Sequence, residues 1–202
     1  MSVRVATPAD ADAVAAIYAP YVLETAISFE EQPPTAAEMG ARIAGLTRTH
    51  PYLVYEEESQ VLGYAYASPH LARPAYRWSA NVSAYTDKDA HRRGIGRALY
   101  TELLSILRRQ GFHSLFAGIA LPNEKSVGFH EAFGFVYLGA YREVGFKLGR
   151  WHDVGWWRLG LADGPPAMEP RPFSELAAVP TERRQENPII ADEAAGAAVR
   201  RE

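Results

Sequence analysis

The sequence predicts an α/β protein in which helices cover one mixed β-sheet. Three observations support this fold class. Short strand-like stretches alternate with amphipathic helical stretches in the order β α α β β β α β α β β, two strand–helix–strand units occur in the second half, and 202 residues with 48% hydrophobic and 22% charged residues suit one globular domain. We therefore expect a single sheet rather than a helical bundle or a β-sandwich.

The first elements follow from start signals and hydrophobic periodicity. A short strand over Val3–Ala6 precedes Thr7-Pro8-Ala9-Asp10, where Thr is a suitable N-cap and Pro occupies the first helical position. The helix that follows has an apolar face at Val14, Ile17, Tyr18 and Tyr21. The capping-box spacing of Thr35 and Glu38 opens a second helix that ends near Leu46.

The remaining elements are read in the same way. Six further strands are predicted, over Tyr52–Glu56, Val61–Ala67, Trp78–Thr86, Ser114–Leu121, Phe135–Tyr141 and His152–Leu161. The longest helix covers residues 94–110 and ends at Gly111, and a shorter one covers Ser126–Phe133. Within Trp78–Thr86, even-numbered and odd-numbered side chains are expected on opposite faces.

The composition changes after residue 162. Residues 163–202 contain six of the 14 prolines, eight alanines and a single aromatic residue, Phe173. Such a segment buries little apolar area. We therefore expect a folded domain over residues 1–162 and a flexible C-terminal tail over residues 163–202.

Charge and composition argue against several functions. Twenty-one basic residues against 24 acidic residues give a net charge of −3, which does not favour nucleic-acid binding. The longest apolar run, Val14–Leu23, is shorter than the ~20 residues of a membrane span, and the N-terminus lacks the apolar stretch of a signal peptide. There is no cysteine, and the six histidines do not follow a metal-ligand spacing. The sequence predicts a cytoplasmic protein without a metal site that binds neither nucleic acid nor membrane.

The most informative segment runs from His91 to Arg97, between a strand and the strongest helix. Glycines allow a ligand to approach the backbone, and the free N–H groups at a helix N-terminus attract anions. Its basic side chains are Arg92, Arg93 and Arg97. Because Lys-Ser/Thr does not follow Gly94-Ile95-Gly96 and position 99 is Leu, the segment fits neither the P-loop nor the dinucleotide fingerprint. The alternative is a glycine pair with arginines on a solvated face.

Two motifs resemble those of the GNAT acyltransferase superfamily. His91-Arg92-Arg93-Gly94-Ile95-Gly96 is similar to its Q/R-x-x-G-x-G/A acetyl-CoA motif, and Asn123 to Ser126 with His130 and Gly134-Phe135 is similar to its N-x-x-S…[Y/H]-x-x-x-G-[F/Y] helix. Further segments, including Arg73-Pro74-Ala75-Tyr76-Arg77-Trp78 and Gly149–Gly155, resemble phosphinothricin N-acetyltransferases, whose related enzymes acetylate methionine sulfoximine or arsinothricin.

The resemblance implies a GNAT fold with a mixed, mainly antiparallel twisted sheet, acetyl-CoA as cosubstrate and a homodimer. It implies a cofactor site formed by Ala84, Tyr85, Thr86, His91, Arg92, Arg93, Gly94, Ile95, Gly96, Arg97, Asn123 and Ser126. The backbone of the 84–86 segment would line the pantetheine arm. The implied amine-binding residues are Phe29, Glu30, Arg73, Tyr76 and Arg77, where arginines would hold an anionic head group or else lie on the surface.

The implied reaction is direct attack of a small amino-acid analogue's amine on the thioester, and its catalytic positions are Asn81 and His130. Asn81 stands where the family has a glutamate base, and an amide cannot take a proton. A water chain, Glu30, Glu31 or His152 would act instead, or else the incoming amine arrives partly neutral. His130 would protonate the thiolate or else pack as a structural histidine. Because of Asn81, the alternatives are a catalytically weak acetyl-CoA-binding protein and an acetyltransferase for another amine. A protein or RNA acetyltransferase is a third hypothesis.

Overall fold

The computed structural model describes residues 1–90, 93–166 and 168–177. Its helices are α1 (Ala11–Glu24), α2 (Ala36–Leu46), α3 (Ile95–Gln110), α4 (Glu124–Glu131) and α5 (Phe173–Ala177). Its strands are β1 (Ser2–Val5), β2 (Tyr52–Glu57), β3 (Gln60–Pro69), β4 (Ser79–Thr86), β5 (Ser114–Leu121), β6 (Val136–Lys147) and β7 (Arg150–Gly160). Among the described residues, none of the helices has the length and hydropathy that a membrane span requires.

The seven strands form one sheet in the order β1-β2-β3-β4-β5-β7-β6. Every neighbouring pair is antiparallel except β4 and β5, which run parallel. The parallel pair arises because α3 carries the chain from the end of β4 back to the start of β5, as in other strand–helix–strand units. The predicted mixed, mainly antiparallel sheet flanked by helices is confirmed.

Two hydrophobic clusters cover the two faces of the sheet. The first contains the apolar stripe of α3, with Leu99 and Leu103 fully buried, and also contains Ala80 and Val82 of β4. The second lies beneath α1 and α2, and Tyr85 of β4 packs against it. The predicted alternation of side chains along β4 is therefore confirmed. It places odd-numbered side chains, including that of Asn81, on the face opposite α3.

The hairpin of β6 and β7 is longer than predicted. The predicted strand ended at Tyr141, whereas β6 continues to Lys147 and pairs with Arg150. The pairing register shifts between Tyr141 and Gly145, and Glu143 has a positive φ of 47°. This irregularity interrupts the alternation from which a strand is recognised, because a bulge removes the period of two locally.

The prediction of a flexible tail over residues 163–202 is wrong for its first part. Phe173 and Leu176 of α5 are buried, and Phe173 belongs to the first cluster. The amide of Gln110 donates to Arg171 O over 2.7 Å, so this segment is fastened to the C-terminal end of α3. The average composition of residues 163–202 did not indicate this contact, because the burial of one aromatic side chain is sufficient to anchor a short helix. Residues 178–202 lie outside the described part.

Candidate active site

A gap opens in the sheet between β4 and β5. The two strands pair only where Ser79–Asn81 lies beside Ser114–Phe116, although β4 continues to Thr86 and β5 to Leu121. Beyond Asn81 the backbone groups on this edge of β4 therefore have no strand partner in β5. A break of this kind in a sheet exposes main-chain donors and acceptors to a ligand.

The hydrogen bonds at the two ends of β4 show which residues face this gap. The N–H of Asp87 donates to Leu62 O over 2.9 Å, and the N–H of His70 donates to Ser79 O over 3.4 Å. Both bonds join an odd-numbered position of the β4 segment to β3. Because backbone groups alternate in direction along a strand, the even-numbered residues turn theirs toward the gap.

Val82, Ala84 and Thr86 therefore present backbone groups toward the gap, and Thr86 O accepts a hydrogen bond of 2.6 Å from the hydroxyl of Tyr21. Ala84 and Thr86, both predicted to line the cofactor, are thus among the gap-facing positions. Tyr85, the third residue of that prediction, is odd-numbered and turns its backbone groups toward β3, where it pairs with Tyr64. Val82 also faces the gap but was not predicted to do so. Which backbone groups of β4 face the gap becomes known only from the pairing of β4 with its neighbours.

The N-terminus of α3 lies at the end of the β4 segment, as predicted. Its N-cap, Gly94, has a φ of +77°, which glycine adopts without strain. Gly96 serves packing, since a Cβ there would lie 3.4 Å from the ring of Phe129, and the side chain of Ile95 is buried in the core. Their role toward an anion would therefore come from the main-chain N–H groups of the first turn.

The basic residues at this helix end differ in their contacts. Arg93 forms an ion pair with Glu57 of β2. Arg97 is exposed, and its guanidinium carbon lies 5.8 Å from the ring centre of Phe133. His91 and Arg92, both predicted to bind the cofactor, lie outside the described residues.

The second predicted cofactor segment begins α4. The side-chain oxygen of Asn123 accepts a hydrogen bond of 3.1 Å from the N–H of Ser126, so Asn123 is the N-cap of this helix. The capping leaves the Asn123 amide nitrogen as the group that could bind a ligand carbonyl. The hydroxyl of Ser126 lies 3.4 Å from the imidazole of His130.

His130 belongs to α4 and is buried against α3, and both of its ring nitrogens are engaged. Nδ1 lies 2.7 Å from Ser126 O, which can only accept, so Nδ1 carries the proton, and Nε2 accepts from the hydroxyl of Tyr100 over 2.8 Å. Burial lowers the pKa of His130 below its usual value. A neutral imidazole with no free nitrogen favours the structural alternative over the predicted thiolate acid.

On the opposite face, Asn81 forms a pair that the sequence did not reveal. Its side-chain oxygen lies 2.8 Å from Nδ1 of His70, the residue that follows β3. Its amide nitrogen donates to Pro69 O over 3.4 Å. Asn81 thus holds a histidine at the point where β4 and β5 stop pairing. His70 lies in an unremarkable Pro-His loop of the sequence, and only the antiparallel pairing of β3 with β4 brings it to Asn81.

A cavity of about 340 Å³ adjoins this pair. It is lined by His70, Phe116, Leu138, Gly139, Ala140, Tyr141 and Trp156. The imidazole of His70 stacks on the ring of Phe116 with 4.2 Å between centroids, and Trp156 contacts it edge-on at 5.9 Å. We call the side of the sheet that carries Asn81, Phe116 and Trp156 the open face. Its cavity is large enough for a small amino acid.

The three substrate-binding residues predicted in the loop before β4 are not equivalent. Tyr76 lies beside the open face, with its ring 6.1 Å from that of His70. Arg77 is instead held by an ion pair with Glu169 and stacks over Trp78 at 5.1 Å. Arg73 is exposed. Of this group, the structure brings only Tyr76 into contact with the His70 pair.

The two residues predicted in the loop after α1 are firmly held. The carboxylate of Glu30 accepts two hydrogen bonds from Arg42, of 2.7 and 2.9 Å, and a third from Tyr18. The Arg42 guanidinium lowers the pKa of Glu30, which makes it a poor general base. Phe29 packs against Gly145 so closely that a Cβ at position 145 would lie 2.1 Å from its ring.

His152, another base candidate, has a structural partner. Its Nε2 donates to Lys147 O over 3.0 Å within the β6–β7 turn, and the side chain is buried. The adjacent Asp153 accepts a hydrogen bond of 2.6 Å from Arg142. These contacts fix the turn between β6 and β7 and occupy His152.

The parts of the site lie on two sides of one gap. The first turn of α3 and the gap-facing backbone of β4 offer donors to an anionic and amide-containing ligand. The open face offers an imidazole and a cavity of amino-acid size at Asn81. Such an arrangement can bring two substrates together across the sheet for group transfer.

Comparisons with known proteins agree with this geometry. Residues 3–156 match the acetyltransferase (GNAT) domain family. A phosphinothricin N-acetyltransferase from Streptomyces viridochromogenes is 39% identical over 176 residues, which cover 87% of this chain and 96% of that protein. The L-methionine sulfoximine/L-methionine sulfone acetyltransferase of Salmonella typhimurium is 32% identical and covers 80% and 95% of the two chains.

A solved structure agrees as well. The GNAT superfamily phosphinothricin acetyltransferase from Sinorhizobium meliloti, in complex with AcCoA, has a TM-score of 0.78 and 37% identity, over 84% of this chain and 92% of that one. Fold, sequence and the gap beside α3 lead to the same conclusion: the chain belongs to the GNAT family and is an acetyl-CoA-dependent N-acetyltransferase.

Proposed function

We propose that this enzyme acetylates the amino group of a small amino-acid analogue that carries a second polar, oxygen-rich head group. Phosphinothricin is the first candidate, and methionine sulfoximine and arsinothricin are close alternatives. The main support is the similarity to relatives named for phosphinothricin and for methionine sulfoximine, because this chain matches nearly the whole length of each of them. The cavity beside Asn81 has a volume suited to such a molecule.

The chain's own residues suggest a division of labour. The first turn of α3, with Arg97 beside it, would hold the phosphates of acetyl-CoA, and the amide of Asn123 would bind its pantetheine arm. Bound there, acetyl-CoA supplies an activated acyl group as a thioester. A gap-facing N–H of β4 would stabilise charge developing on the acyl oxygen, a contribution of about 3 kcal/mol for one such donor.

A thiol-release assay with acetyl-CoA and a panel of amines tests the substrate. We expect turnover of phosphinothricin, methionine sulfoximine or arsinothricin with a kcat/KM at least about tenfold above that for alanine or a lysine-containing peptide, because the latter lack the second head group. Preferred turnover of the peptide would support a protein acetyltransferase instead. Binding of CoA with no turnover of any amine would support the weak acetyl-CoA-binding alternative.

The exposed Arg73 provides a second test of the head-group hypothesis. Arg77 of the same loop is paired with Glu169, whereas Arg73 forms no ion pair with a described carboxylate. We propose that Arg73 binds the anionic head group. Arg73→Gln should raise KM for phosphinothricin about tenfold while KM for acetyl-CoA stays unchanged. Arg109→Gln, an exposed arginine in the last turn of α3, is the matched control. Equal KM values in both variants would remove Arg73 from the site.

We also propose a homodimeric, cytoplasmic enzyme. β6 is an edge strand with exposed Val136, Tyr137 and Phe146, and a second copy is a suitable partner for such a surface. Light scattering of the purified protein tests the dimer, and a monomeric mass at assay concentration would contradict it.

A further inference from the structure

We propose that His70 is the general base of this acetyltransferase and that Asn81 is the residue that positions it. This inference rests on the proposed function, because it assigns the group that removes the proton from the incoming amine. It also accounts for an asparagine at a position where an ionisable side chain was expected.

The contacts of Asn81 determine which imidazole nitrogen is basic. Pro69 O can only accept, so the amide nitrogen of Asn81 faces it at 3.4 Å and the amide oxygen faces His70 at 2.8 Å. An amide oxygen can only accept as well. Nδ1 of His70 must therefore carry a proton, and in the neutral ring Nε2 is left with its lone pair.

The ring itself is held in place by aromatic packing. It stacks on Phe116 with an interplanar angle of 18°, and the rings of Trp156 and Tyr76 contact it edge-on. Phe116 is the last residue of β5 paired with β4, so the imidazole lies where the gap begins. A base fixed in this way needs little reorganisation before it accepts a proton.

The surroundings leave the imidazole available for this role. His70 lines the 340 Å³ cavity, and no charged side chain is among the residues that line it. The titratable neighbours are the phenols Tyr76, from the loop before β4, and Tyr141, from β6. No ion pair in the described part of the chain therefore occupies the imidazole, in contrast to Glu30, which is bound by Arg42.

The proton balance of the step is simple. An ammonium group transfers one proton to Nε2 of His70, and the neutral nitrogen forms a bond to the acyl carbon with its lone pair. The carbon–sulfur bond breaks with its electron pair going to sulfur. The nitrogen's second proton passes to the thiolate, and His70 returns its proton to water. The products are the N-acetyl compound, CoA thiol and one released proton.

The test compares His70→Gln and His70→Phe with His113→Gln. We expect the two His70 variants to lower kcat/KM for the preferred amine by about 10²-fold to 10⁴-fold. They should also lose the acidic limb of the pH–rate profile, while CoA affinity and thermal midpoint stay near wild type. The ring of Phe preserves stacking on Phe116, so a loss in both variants separates base catalysis from packing. His113, which is half-buried and lines a different pocket, is the control.

Two further measurements complete the test. Imidazole in the buffer should restore part of the activity of His70→Ala. Long-range ¹H–¹⁵N spectra of the wild type, which need no substrate, should show Nδ1 protonated and Nε2 unprotonated in the neutral ring. The opposite tautomer, or a His70→Gln enzyme with wild-type kinetics, would overturn the inference. A wild type that acetylates none of the amines but has the expected tautomer would instead refute the proposed substrate.

Discussion

His70 and His130 occupy opposite faces of the same sheet and illustrate two uses of one side chain. His130 packs against Tyr100 and Phe135 of the first cluster, with Nε2 bound by the hydroxyl of Tyr100 and Nδ1 bound by Ser126 O. His70 lies on the open face with Nδ1 bound by Asn81 and Nε2 directed to no described protein group. The number of free nitrogens, rather than the presence of a histidine near a motif, separates a packing role from a chemical one.

The comparison also shows why the two rings contribute differently to the stability of the folded protein. His130 is 7% exposed and contacts Phe129 and Phe135 in perpendicular arrangements, whereas His70 is half-buried. Removal of the buried ring leaves a cavity and an unpartnered tyrosine hydroxyl. Removal of the half-buried ring opens a site that solvent can fill. Three predictions test this contrast, in order of decreasing effect.

The largest expected effect is on the unfolding of His130→Ala. This variant should lose about 3 kcal/mol of unfolding free energy, because it creates a core cavity and strands the hydroxyl of Tyr100. Urea denaturation measures it, with His113→Ala as the half-buried control that should lose about 1 kcal/mol or less. A folded His130→Ala enzyme should retain most of its kcat. A loss of kcat as large as that of His70→Gln would revive the thiolate-acid role.

The next effect is a pH dependence of stability. Burial lowers the pKa of His50 to about 4 and also lowers that of His130. Below about pH 6.5 these histidines are therefore protonated in the unfolded chain while they stay neutral in the folded chain. The unfolding free energy should therefore fall as pH falls from about 6.5 toward 4, by at most about 1.4 kcal/mol per pH unit for each histidine.

Denaturation at a series of pH values checks this slope, and His130→Phe should reduce it because Phe does not titrate. The same variant should leave the acidic limb of the rate profile unchanged, since that limb belongs to the open face. An unchanged stability slope in His130→Phe would show that the ring is protonated equally in the folded and unfolded chains.

The smallest effect is expected for Asn81→Asp. A carboxylate 2.8 Å from Nδ1 would stabilise the imidazolium of His70, so the acidic limb of the rate profile should move to higher pH by about one unit. Global stability should change by less than about 1 kcal/mol, because Asn81 is only half-buried. A pH–rate profile identical to that of the wild type would show that residue 81 does not influence the group responsible for the acidic limb.

The elements, including the helix ends on the predicted cofactor side, could be predicted because their signals are local. The caps of α3, Gly94 and Gly111, and the stripe between them lie within one stretch of sequence. Asn123 likewise caps the helix that its own motif begins. Glycine at a positive φ and a polar residue at an N-cap are each dictated by neighbours a few residues away.

The open face could not be predicted in the same way because it depends on register. His70 reaches Asn81 only through the pairing of Ser68 with Asn81 across β3 and β4. The direction of the Tyr85 backbone, toward β3 rather than toward the gap, has the same origin, since moving a strand by one residue exchanges the groups that face each neighbour. Arg77 was assigned to the substrate, yet Glu169, 92 positions later, holds it. These contacts carry no local signature.

The contacts of Lys147 bear on the order in which the molecule assembles. Its ammonium group donates to Val22 O at the end of α1 and to Ser28 O in the following loop, each over 2.6 Å, and the partners lie 125 and 119 residues away along the chain. Contacts that close such long loops carry a large entropic cost and generally form after local helices and hairpins. We therefore expect the loop bearing Phe29 and Glu30 to become ordered late in folding, only after the β6–β7 hairpin has docked against α1.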